Sequence, residues 1–483
     1  MACEAGGVPE PTPRHVAVVG GGISGLASAA ALTRAGARVT LLEAASQLGG
    51  KLRTSDFAGV PVDEGAEAFL ARRPEAVELA RSVGFAAELV APACTDAAIW
   101  TRGRLRPFPV GNLLGVPTSG GAAGRSGALS RRGTARLLLD RVLPGRPVPD
   151  DLAVGRYVGR RLGREVVDRL VDPLLGGVYA GRADLLSLHA TIPALVPVAR
   201  RGGSLLRGVR AVGPASEQSP GPAFRTLPGG LGRLVAAVAA ASGADVRRST
   251  AVVGLAPLPA GGWELTLGSR AAPERLRADA VILALPAPAA VRLLAGVVPA
   301  AATELAAIDY ASVAIVTLAY AGAPPLPGSG FLVPAVDGRL TKAATFSTAK
   351  WAHLAAAGRG VTIVRCSVGR YCDAGDLQRD DGELVRAVAA DLAAAVGLTA
   401  SPVESRVTRW GGALPQYAVG HLERVARVRS ALAAEPTLAL CGAAYEGVGI
   451  PACIASGHRA AADILAGRQW GHVHAGDPPQ DRP

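Results

Sequence analysis

The 483-residue sequence contains few lysines and few aromatic side chains. Lysine supplies three of its 51 Lys and Arg residues, and aromatic residues make up 4% of the chain, although the formal net charge is +12. Proteins that bind nucleic acid usually combine their charge with a recognition helix or stacking aromatic residues, and neither pattern is present. The sequence therefore predicts no nucleic-acid partner and leaves a membrane surface or an acidic substrate as explanations of the charge.

Cysteine pairs with metal-ligand or redox spacing are also missing. The six cysteines include no C-x-x-C pair and no neighbouring His, so we predict neither a metal site nor a disulfide framework. A reducing cytoplasm is the expected location. The most apolar stretches are interrupted by residues such as Pro286 and Arg292, and the N-terminus has no signal-peptide pattern. Any membrane contact is therefore expected to be peripheral.

The remaining composition is that of a large folded protein. Hydrophobic residues make up 49% of the chain, which is enough for more than one domain. Runs typical of β-strands, such as 313–320 and 361–369, occur together with Ala- and Leu-rich helical stretches such as 383–396. The pattern predicts an α/β protein.

Several segments are predicted to be peripheral. The ends, 1–13 and 471–483, are polar and rich in Pro or Gly, and we expect disordered tails. Clusters of Gly, Ser and Pro at 119–133 and 211–223 predict surface loops or domain boundaries. Residues 156–175 have the spacing of one amphipathic helix, for which a solvated face and a membrane surface are the two interpretations.

The strongest local motif lies near the N-terminus. A short apolar strand, 16–19, is followed by Gly20, Gly22 and Gly25 in a G-x-G-x-x-G pattern that opens a helix, and a second strand ends in Glu43. The three glycines allow a tight turn, close approach of a pyrophosphate and close helix packing, and an acid after the second strand binds ribose hydroxyls. The motif predicts a dinucleotide site.

Two further segments favour FAD over NAD. Residues 48–54, LGGKLRT, resemble the second glycine pair of FAD-containing amine oxidases, carotenoid desaturases and porphyrinogen oxidases. Residues 437–465 read as a strand, a turn with Gly442, Gly447 and Gly449, and a helix whose N-terminus would stabilise negative charge on a flavin ring.

Seven segments together give a more specific resemblance. They are similar to protoporphyrinogen and coproporphyrinogen III oxidases, and most similar to the soluble Gram-positive, actinobacterial coproporphyrinogen type. They span nearly the whole chain in family order: 62–77, 105–117, 171–191, 226–234, 328–334, 409–417 and 446–457.

The resemblance implies a three-part α/β fold with an FAD-binding doubly wound domain, a mixed-sheet substrate domain and a helical, candidate membrane-facing domain. The implied boundaries are 14–95 with 225–290 and 436–468 for the FAD-binding domain, 96–210 for the helical domain, and 291–435 for the substrate domain.

The activity implied by the resemblance is a six-electron oxidation of coproporphyrinogen III to coproporphyrin III in haem biosynthesis. Dioxygen is the expected acceptor, hydrogen peroxide the coproduct, and other haem-pathway enzymes are candidate partners. Protoporphyrinogen IX is an alternative substrate. An FAD amine oxidase or carotenoid desaturase is a less favoured alternative, and a flavin-binding regulator is a non-enzymatic one.

The resemblance also implies site residues. The expected FAD contacts are Gly20, Gly21, Gly22, Ile23, Ser24, Gly25, Glu43, Ala44, Lys51, Gly65, Ala66, Glu67, Ala68, Val252, Trp410, Val448, Gly449 and Ile450. The loop 63–67 is unusually acidic, so an ion pair of Glu67 with Arg72 or Arg73 is an equal alternative to a cofactor contact. Arg72, Arg73 and Tyr179 are candidate substrate residues. We predict no catalytic acid or base, because the flavin supplies the reactivity.

Overall fold

The structure is a computed structural model, and it describes residues 14–213, 221–269, 272–358 and 360–466. Both predicted tails, 1–13 and 471–483, lie outside the described residues.

The chain forms strands throughout its length. In chain order they are β1 (His15–Val19), β2 (Arg38–Leu42), β3 (Thr54–Phe57), β4 (Val60–Asp63), β5 (Phe69–Leu70), β6 (Ala97–Thr101), β7 (Arg104–Pro107), β8 (Asn112–Leu113), β9 (Val116–Pro117), β10 (Phe224–Arg225), β11 (Asp245–Arg247), β12 (Val252–Pro257), β13 (Trp263–Ser269), β14 (Ala272–Ala278), β15 (Ala280–Leu283), β16 (Tyr310–Ala321), β17 (Gly330–Leu332), β18 (Thr341–Phe346), β19 (Val361–Val368), β20 (Glu404–Pro415) and β21 (Leu438–Leu440).

Helices connect and cover these strands. They are α1 (Ile23–Arg34), α2 (Pro74–Ser82), α3 (Gly120–Arg125), α4 (Arg131–Leu138), α5 (Val154–Leu162), α6 (Arg164–Val166), α7 (Asp172–Tyr179), α8 (Leu188–Thr191), α9 (Val196–Arg201), α10 (Leu205–Val212), α11 (Gly232–Ala241), α12 (Ala287–Leu294), α13 (Pro299–Ala306), α14 (Ser347–Lys350), α15 (Ala352–Ala357), α16 (Asp381–Val396), α17 (His421–Leu432) and α18 (Ile450–Ala466). A π-helical segment, Val167–Val171, joins α6 to α7.

A parallel five-stranded sheet with the order β11-β2-β1-β15-β21 forms the nucleotide-binding part of the fold. Alternate residues of β1 serve opposite faces, as strand geometry requires. Val16 and Val18 pack in the core with α1, α11 and α18, whereas Ala17 and Val19 pack with β13, α12 and α13. Covering elements on both faces confirm the predicted doubly wound architecture.

A seven-stranded mixed sheet with the order β20-β16-β19-β18-β17-β6-β7 forms the second layer. Its strands are antiparallel except for the pairing of β17 with β6, and α16 packs on one face. The first strands of the predicted helical segment 96–210 are part of this sheet, so its helices start only after the β-structure at 97–107. Similarly, α13, α17 and the end of α12 lie within the predicted substrate segment 291–435 but pack on the parallel sheet.

Helices α3 to α10 surround a separate apolar core. The predicted single helix at 156–175 is interrupted at Gly163, whose φ of +95° ends α5. Its apolar face, including Tyr157 and Leu162, is buried in this core, whereas Arg156, Arg160 and Arg164 are exposed, which agrees with a solvated charged face. The prediction of a loop at 119–133 was wrong, since α3 and the start of α4 lie there.

Candidate functional site

The turn between β1 and α1 is shaped by contacts between backbone atoms. Gly20 has a φ of +109°, and a Cβ built on it would overlap the carbonyl oxygen of Ala284. A Cβ on Gly25 would overlap the carbonyl oxygen of Gly20. In contrast, a Cβ on Gly22 would meet no atom within 4 Å. The turn therefore leaves open space in front of the helix amides of Ile23 and Ser24, which have no intrahelical acceptor.

Glu43 follows β2 and lies directly beside this turn. Its Oε2 accepts a hydrogen bond from the Gly21 N–H (2.7 Å), and its Oε1 accepts one from the Ala45 N–H (2.8 Å). The Thr250 N–H donates to the Glu43 carbonyl oxygen (2.8 Å), which brings the start of β12, with Val252, to the same place. The carboxylate is thus held at the end of β2, where Ala44 is exposed.

Lys51 lies on the other side of the turn. The segment before it is joined to the turn by a bridge between Gly22 and Gly49. Burial lowers the pKa of Lys51, and no carboxylate of the described chain lies within ion-pair distance of its ammonium group. The Lys51 carbonyl oxygen packs so closely on Gly65 that a Cβ there would overlap it. An unpaired, partly buried cation beside two helix-opening amides is suited to a pyrophosphate.

The charge of Glu67, in the acidic loop after β4, is neutralised by cations on β19 and α14. Glu67 accepts hydrogen bonds from Lys350 Nζ (2.7 Å), Arg365 Nη1 (2.6 Å) and Trp351 Nε1 (3.2 Å). Burial by itself raises the pKa of Glu67, but Lys350 and Arg365 outweigh it and lower the pKa to about 2. Arg365 Nη2 also donates to the Gly65 carbonyl oxygen (2.5 Å). Glu67 therefore anchors the loop that contains Gly65, Ala66 and Ala68.

Its neighbour Glu64 is also paired, with Arg53. The Glu64 carbonyl oxygen accepts a hydrogen bond from Trp410 Nε1 (3.2 Å), and the Trp410 ring lies beside Gly65. The structure thus brings Lys51, Gly65 and Trp410 together, as expected of residues that share one cofactor. The alternative of an ion pair between Glu67 and Arg72 or Arg73 was wrong in its partners, because Arg365 in β19 and Lys350 in α14 supply the cations. A cofactor contact of Glu67 stays a prediction.

The second glycine-rich turn, before α18, is held by Tyr417. The Tyr417 hydroxyl accepts a hydrogen bond from the Gly447 N–H (2.7 Å) and donates one to the Ala443 carbonyl oxygen (2.6 Å). Val448, Gly449 and Ile450 follow at the start of α18.

Helices α18 and α1 cross in close contact between their backbones. A Cβ on Gly457 would overlap the backbone of Ser24. This contact joins the middle of α18 to the first turn of α1 and thereby places α18 beside the first glycine-rich turn.

The candidate substrate residues lie in different surroundings. Tyr179, at the end of α7, is buried, its ring packs against Tyr417 with centroids 5.7 Å apart, and burial raises its pKa to about 12. Arg73 is exposed before α2 and pairs with Glu75 (2.5 Å). Arg72 has a buried Nε without a hydrogen-bond partner. That these three residues contact substrate stays a prediction.

On the face of the mixed sheet opposite α16, one row of paired side chains is partly accessible. Ile315, Ser367, Ala343 and Leu332 are directly paired across β16, β19, β18 and β17, and all four are only partly buried. We call them the cleft row. The adjacent residues of the strands are buried, mostly in the core beneath α16. Gly177 of α7 lies over Leu332 at one end of the row, since a Cβ built on it would be 3.5 Å from Leu332 Cδ2.

Comparison with known proteins assigns a class to this arrangement. A family model described as flavin containing amine oxidoreductase matches residues 23–465. The coproporphyrinogen III oxidase of Mycobacterium tuberculosis (strain ATCC 25618 / H37Rv) is 39% identical over 461 residues, 94% of this chain and 98% of that protein. That of Bacillus subtilis (strain 168) is 33% identical over 468 residues, with 94% and 98% covered. A crystal structure from Exiguobacterium sp. 255-15 has a TM-score of 0.84 at 31% identity and covers 94% of this chain and 99% of that chain.

The chain belongs to the flavin-containing amine oxidoreductase family. It is an FAD-dependent oxidoreductase, and the predictions of family, fold and cofactor are confirmed. The open space before α1, the carboxylate of Glu43 and the unpaired Lys51 ammonium fit a dinucleotide cofactor.

Sequence reasoning missed residues that are remote from the motifs. Tyr417 lies inside a segment that supported the resemblance, and its hydroxyl was not assigned a role. Lys350 and Arg365 lie 283 and 298 residues from Glu67 along the chain. The sequence contained one usable signal. Only three lysines occur in the chain, and two of them, Lys51 and Lys350, lie at the candidate site.

Two kinds of feature are absent from the described residues. No helix in the described ranges is both long and apolar enough to cross a membrane. In the same ranges, no three His, Cys, Asp or Glu side chains are arranged to hold a metal ion.

Proposed function

We propose that this protein is a coproporphyrinogen III oxidase of haem biosynthesis, which uses dioxygen to form coproporphyrin III and hydrogen peroxide. The observation that carries the proposal is the similarity to enzymes of that name over 94% of the chain. The cleft row supports it, because small and apolar side chains across a sheet suit a flat, largely apolar macrocycle. Protoporphyrinogen IX is the alternative substrate.

The protein contributes to the reaction by positioning the cofactor and the substrate. Bound FAD would supply the two-electron chemistry. Glu67, with Arg365 and Lys350, holds the Gly65 loop against the mixed sheet, and Tyr417 holds the turn before α18. These contacts fix the two backbone segments between which a flavin ring and the cleft row would meet.

No side chain of the cleft row is an acid or a base. Ser367 is its one hydroxyl, and the other three members are aliphatic. Oxidation of a saturated carbon between two pyrroles leaves positive charge that the pyrrole nitrogens share, so no strong base is required. The composition of the row agrees with a reaction in which position decides the rate.

The test compares both porphyrinogens. Each is prepared under nitrogen and mixed with the FAD-loaded enzyme, and porphyrin fluorescence and peroxide are followed after air is admitted. We expect coproporphyrinogen to be the better substrate, with peroxide formed in proportion to porphyrin and no requirement for NAD(P). Equal kcat/KM for the two porphyrinogens would contradict the assignment, and anaerobic turnover with NAD alone would contradict the acceptor.

We also propose peripheral contact with an anionic membrane through one surface patch. Its apolar members are exposed side chains at the end of α4 and just beyond: Leu138, Leu139, Val142 and Leu143. Arg132 and Arg141 are exposed beside them. Exposed aliphatic groups among arginines suit the interface of an acidic bilayer.

Vesicle co-sedimentation tests this contact. We expect binding to vesicles with phosphatidylserine, weaker binding to phosphatidylcholine vesicles, and loss of binding in a Val142→Ser, Leu143→Ser double variant. Val403→Ser removes an equally exposed apolar group elsewhere and serves as the control. Identical sedimentation of the double variant and the wild type would refute the patch.

A further inference from the structure

Lys342 occupies an irregular position beside the middle of the cleft row. In the pairing of β18 with β19, Thr341 pairs with Val368 and Ala343 with Ser367, so Lys342 is the extra residue of a β-bulge. Bulges change the direction of a side chain relative to the regular pleat and are common beside active sites. Here the bulge lies next to Ala343 and Ser367, the two central members of the row.

Lys342 and Arg370 are cations without a carboxylate partner. The Lys342 ammonium is buried and donates to the Gly369 carbonyl oxygen (2.9 Å), and Arg370 Nη2 donates to the Val333 carbonyl oxygen (3.2 Å). Neither is within ion-pair distance of a carboxylate in the part of the chain that the structure describes. Carbonyl oxygens satisfy donors but leave the charge in place, which is costly away from water.

Carboxylates lie around Arg370, but none of those in the described residues is within ion-pair distance of its guanidinium group. The groups that act on Arg370 through space are Asp172, Asp373, Asp376 and Arg182. Asp172 is the first of the acids, and its carboxylate accepts a hydrogen bond from the Ala183 N–H (2.8 Å). Burial, followed by the charge of Arg370, lowers the pKa of Lys342 to about 7. An anion between the two cations would offset that effect.

The predicted substrate residue Tyr179 lies near Arg370. The Tyr371 N–H, next to Arg370, donates to the Ala180 carbonyl oxygen (2.7 Å), next to Tyr179. Arg365, which anchors the Gly65 loop, lies within β19, whereas Arg370 lies two residues beyond the end of that strand. The two cations therefore lie beyond the end of β19, past the position that anchors the candidate flavin loop.

We propose that Lys342 and Arg370 form an anion-binding subsite that takes a carboxylate of the substrate, a propionate of the porphyrinogen. The inference rests on the proposed function. Arg suits such a group through its forked donors, and Lys342 adds a second charge from the bulge. The subsite would favour coproporphyrinogen, with four propionates, over protoporphyrinogen, with two.

The experiment measures binding of coproporphyrin III and of its tetramethyl ester to the FAD-loaded protein by fluorescence titration. The ester keeps the macrocycle and removes the charges. Wild type is compared with Lys342→Met, Arg370→Gln and Arg370→Lys, and with Arg182→Gln, which removes an exposed cation from the same neighbourhood.

We expect Lys342→Met and Arg370→Gln each to weaken binding of the acid by roughly tenfold to a hundredfold, the range of a charge-assisted hydrogen bond. Ester binding and flavin content should be unchanged, Arg370→Lys should recover part of the affinity, and Arg182→Gln should have little effect.

Equal weakening of acid and ester would overturn the subsite, and so would an effect of Arg182→Gln as large as that of Arg370→Gln. An unchanged preference for the acid in both Lys342→Met and Arg370→Gln would also overturn it while leaving the proposed function intact. Failure of the FAD-loaded wild type to oxidise either porphyrinogen would instead refute the proposed function. If Lys342→Met does not fold, the two Arg370 variants decide the question.

Discussion

The two glycine-rich turns that precede α1 and α18 have similar positions in the fold but are held in different ways. The turn before α1 is shaped by backbone against backbone, at Gly20 and Gly25. The turn before α18 is held by side chains, since Tyr417 binds Gly447 and Ser456 Oγ accepts a hydrogen bond from the Gly442 N–H (3.1 Å). Both turns need glycine, since Gly20, Gly442 and Gly447 all have positive φ, but overlap with the backbone limits the first turn most strongly, and the second depends in addition on Tyr417 and Ser456.

Gly25→Ala should have the largest effect. The added methyl group would overlap the Gly20 carbonyl oxygen, and neither backbone segment can move without separating β1 from α1. We expect a loss of about 4 kcal/mol or more in the free energy of unfolding, together with loss of flavin. Urea unfolding and the flavin absorbance of the purified protein measure both. A variant that retains flavin and stability would show that this turn is not held by its backbone.

Gly22→Val tests the other part of the same turn. Gly22 has an extended backbone (φ −71°, ψ 173°) and open space before it, so the fold can accept the side chain, but the pyrophosphate cannot. We expect colourless protein whose free energy of unfolding matches that of wild-type apoprotein within about 1 kcal/mol, as is usual for a substitution without a steric conflict. Full flavin occupancy would contradict the placement of the cofactor.

Tyr417→Phe should have an intermediate effect, on the second turn. Removing the hydroxyl leaves the Gly447 N–H and the Ala443 carbonyl without their partner, which costs about 1 to 3 kcal/mol. We also expect faster flavin dissociation, measured after dilution. Tyr320→Phe is the matched control, because the Tyr320 hydroxyl is buried without a partner and its removal should be neutral or stabilising. Equal effects of the two substitutions would contradict the role of Tyr417.

Glu446→Gln should have the smallest effect. Glu446 bridges Arg429 and Arg459 on the outer side of the second turn, with its side chain 26% exposed. Such partly exposed pairs contribute less than about 1 kcal/mol and are screened by salt. Glu304→Gln is the control, because Glu304 bridges Arg424 and Arg427 with similar exposure, away from the turn. A loss of flavin in Glu446→Gln alone would show that the outer ion pairs also hold this turn.

The same contrast explains which parts of the site could be predicted. The first turn, its helix and Glu43 are contiguous in the sequence, and their spacing reflects the geometry of one βαβ unit. The partners of Glu67 could not be derived in this way, since they depend on how the mixed sheet packs against the loop after β4. Arg72 and Arg73 were favoured because they are near in sequence, whereas Lys350 and Arg365 are near in space.

The fold, too, could be predicted only in part from the sequence. Alternation of strands and helices was sufficient to predict an α/β protein. It could not predict that β6 and β7 pair beside β17, because the parallel pairing of β17 with β6 joins segments more than 200 residues apart. The boundaries of the three predicted domains therefore stay a prediction.

The strand order of the parallel sheet has a consequence for biosynthesis. The central strand β1 is made first, but its neighbour β15 follows about 265 residues later, and α18, which packs on α1, comes near the end of the chain. A nascent chain can therefore form the first glycine turn long before the second half of the cofactor site has left the ribosome. Such long-range contacts are slow to form, so we expect the complete flavin site to form only after translation ends.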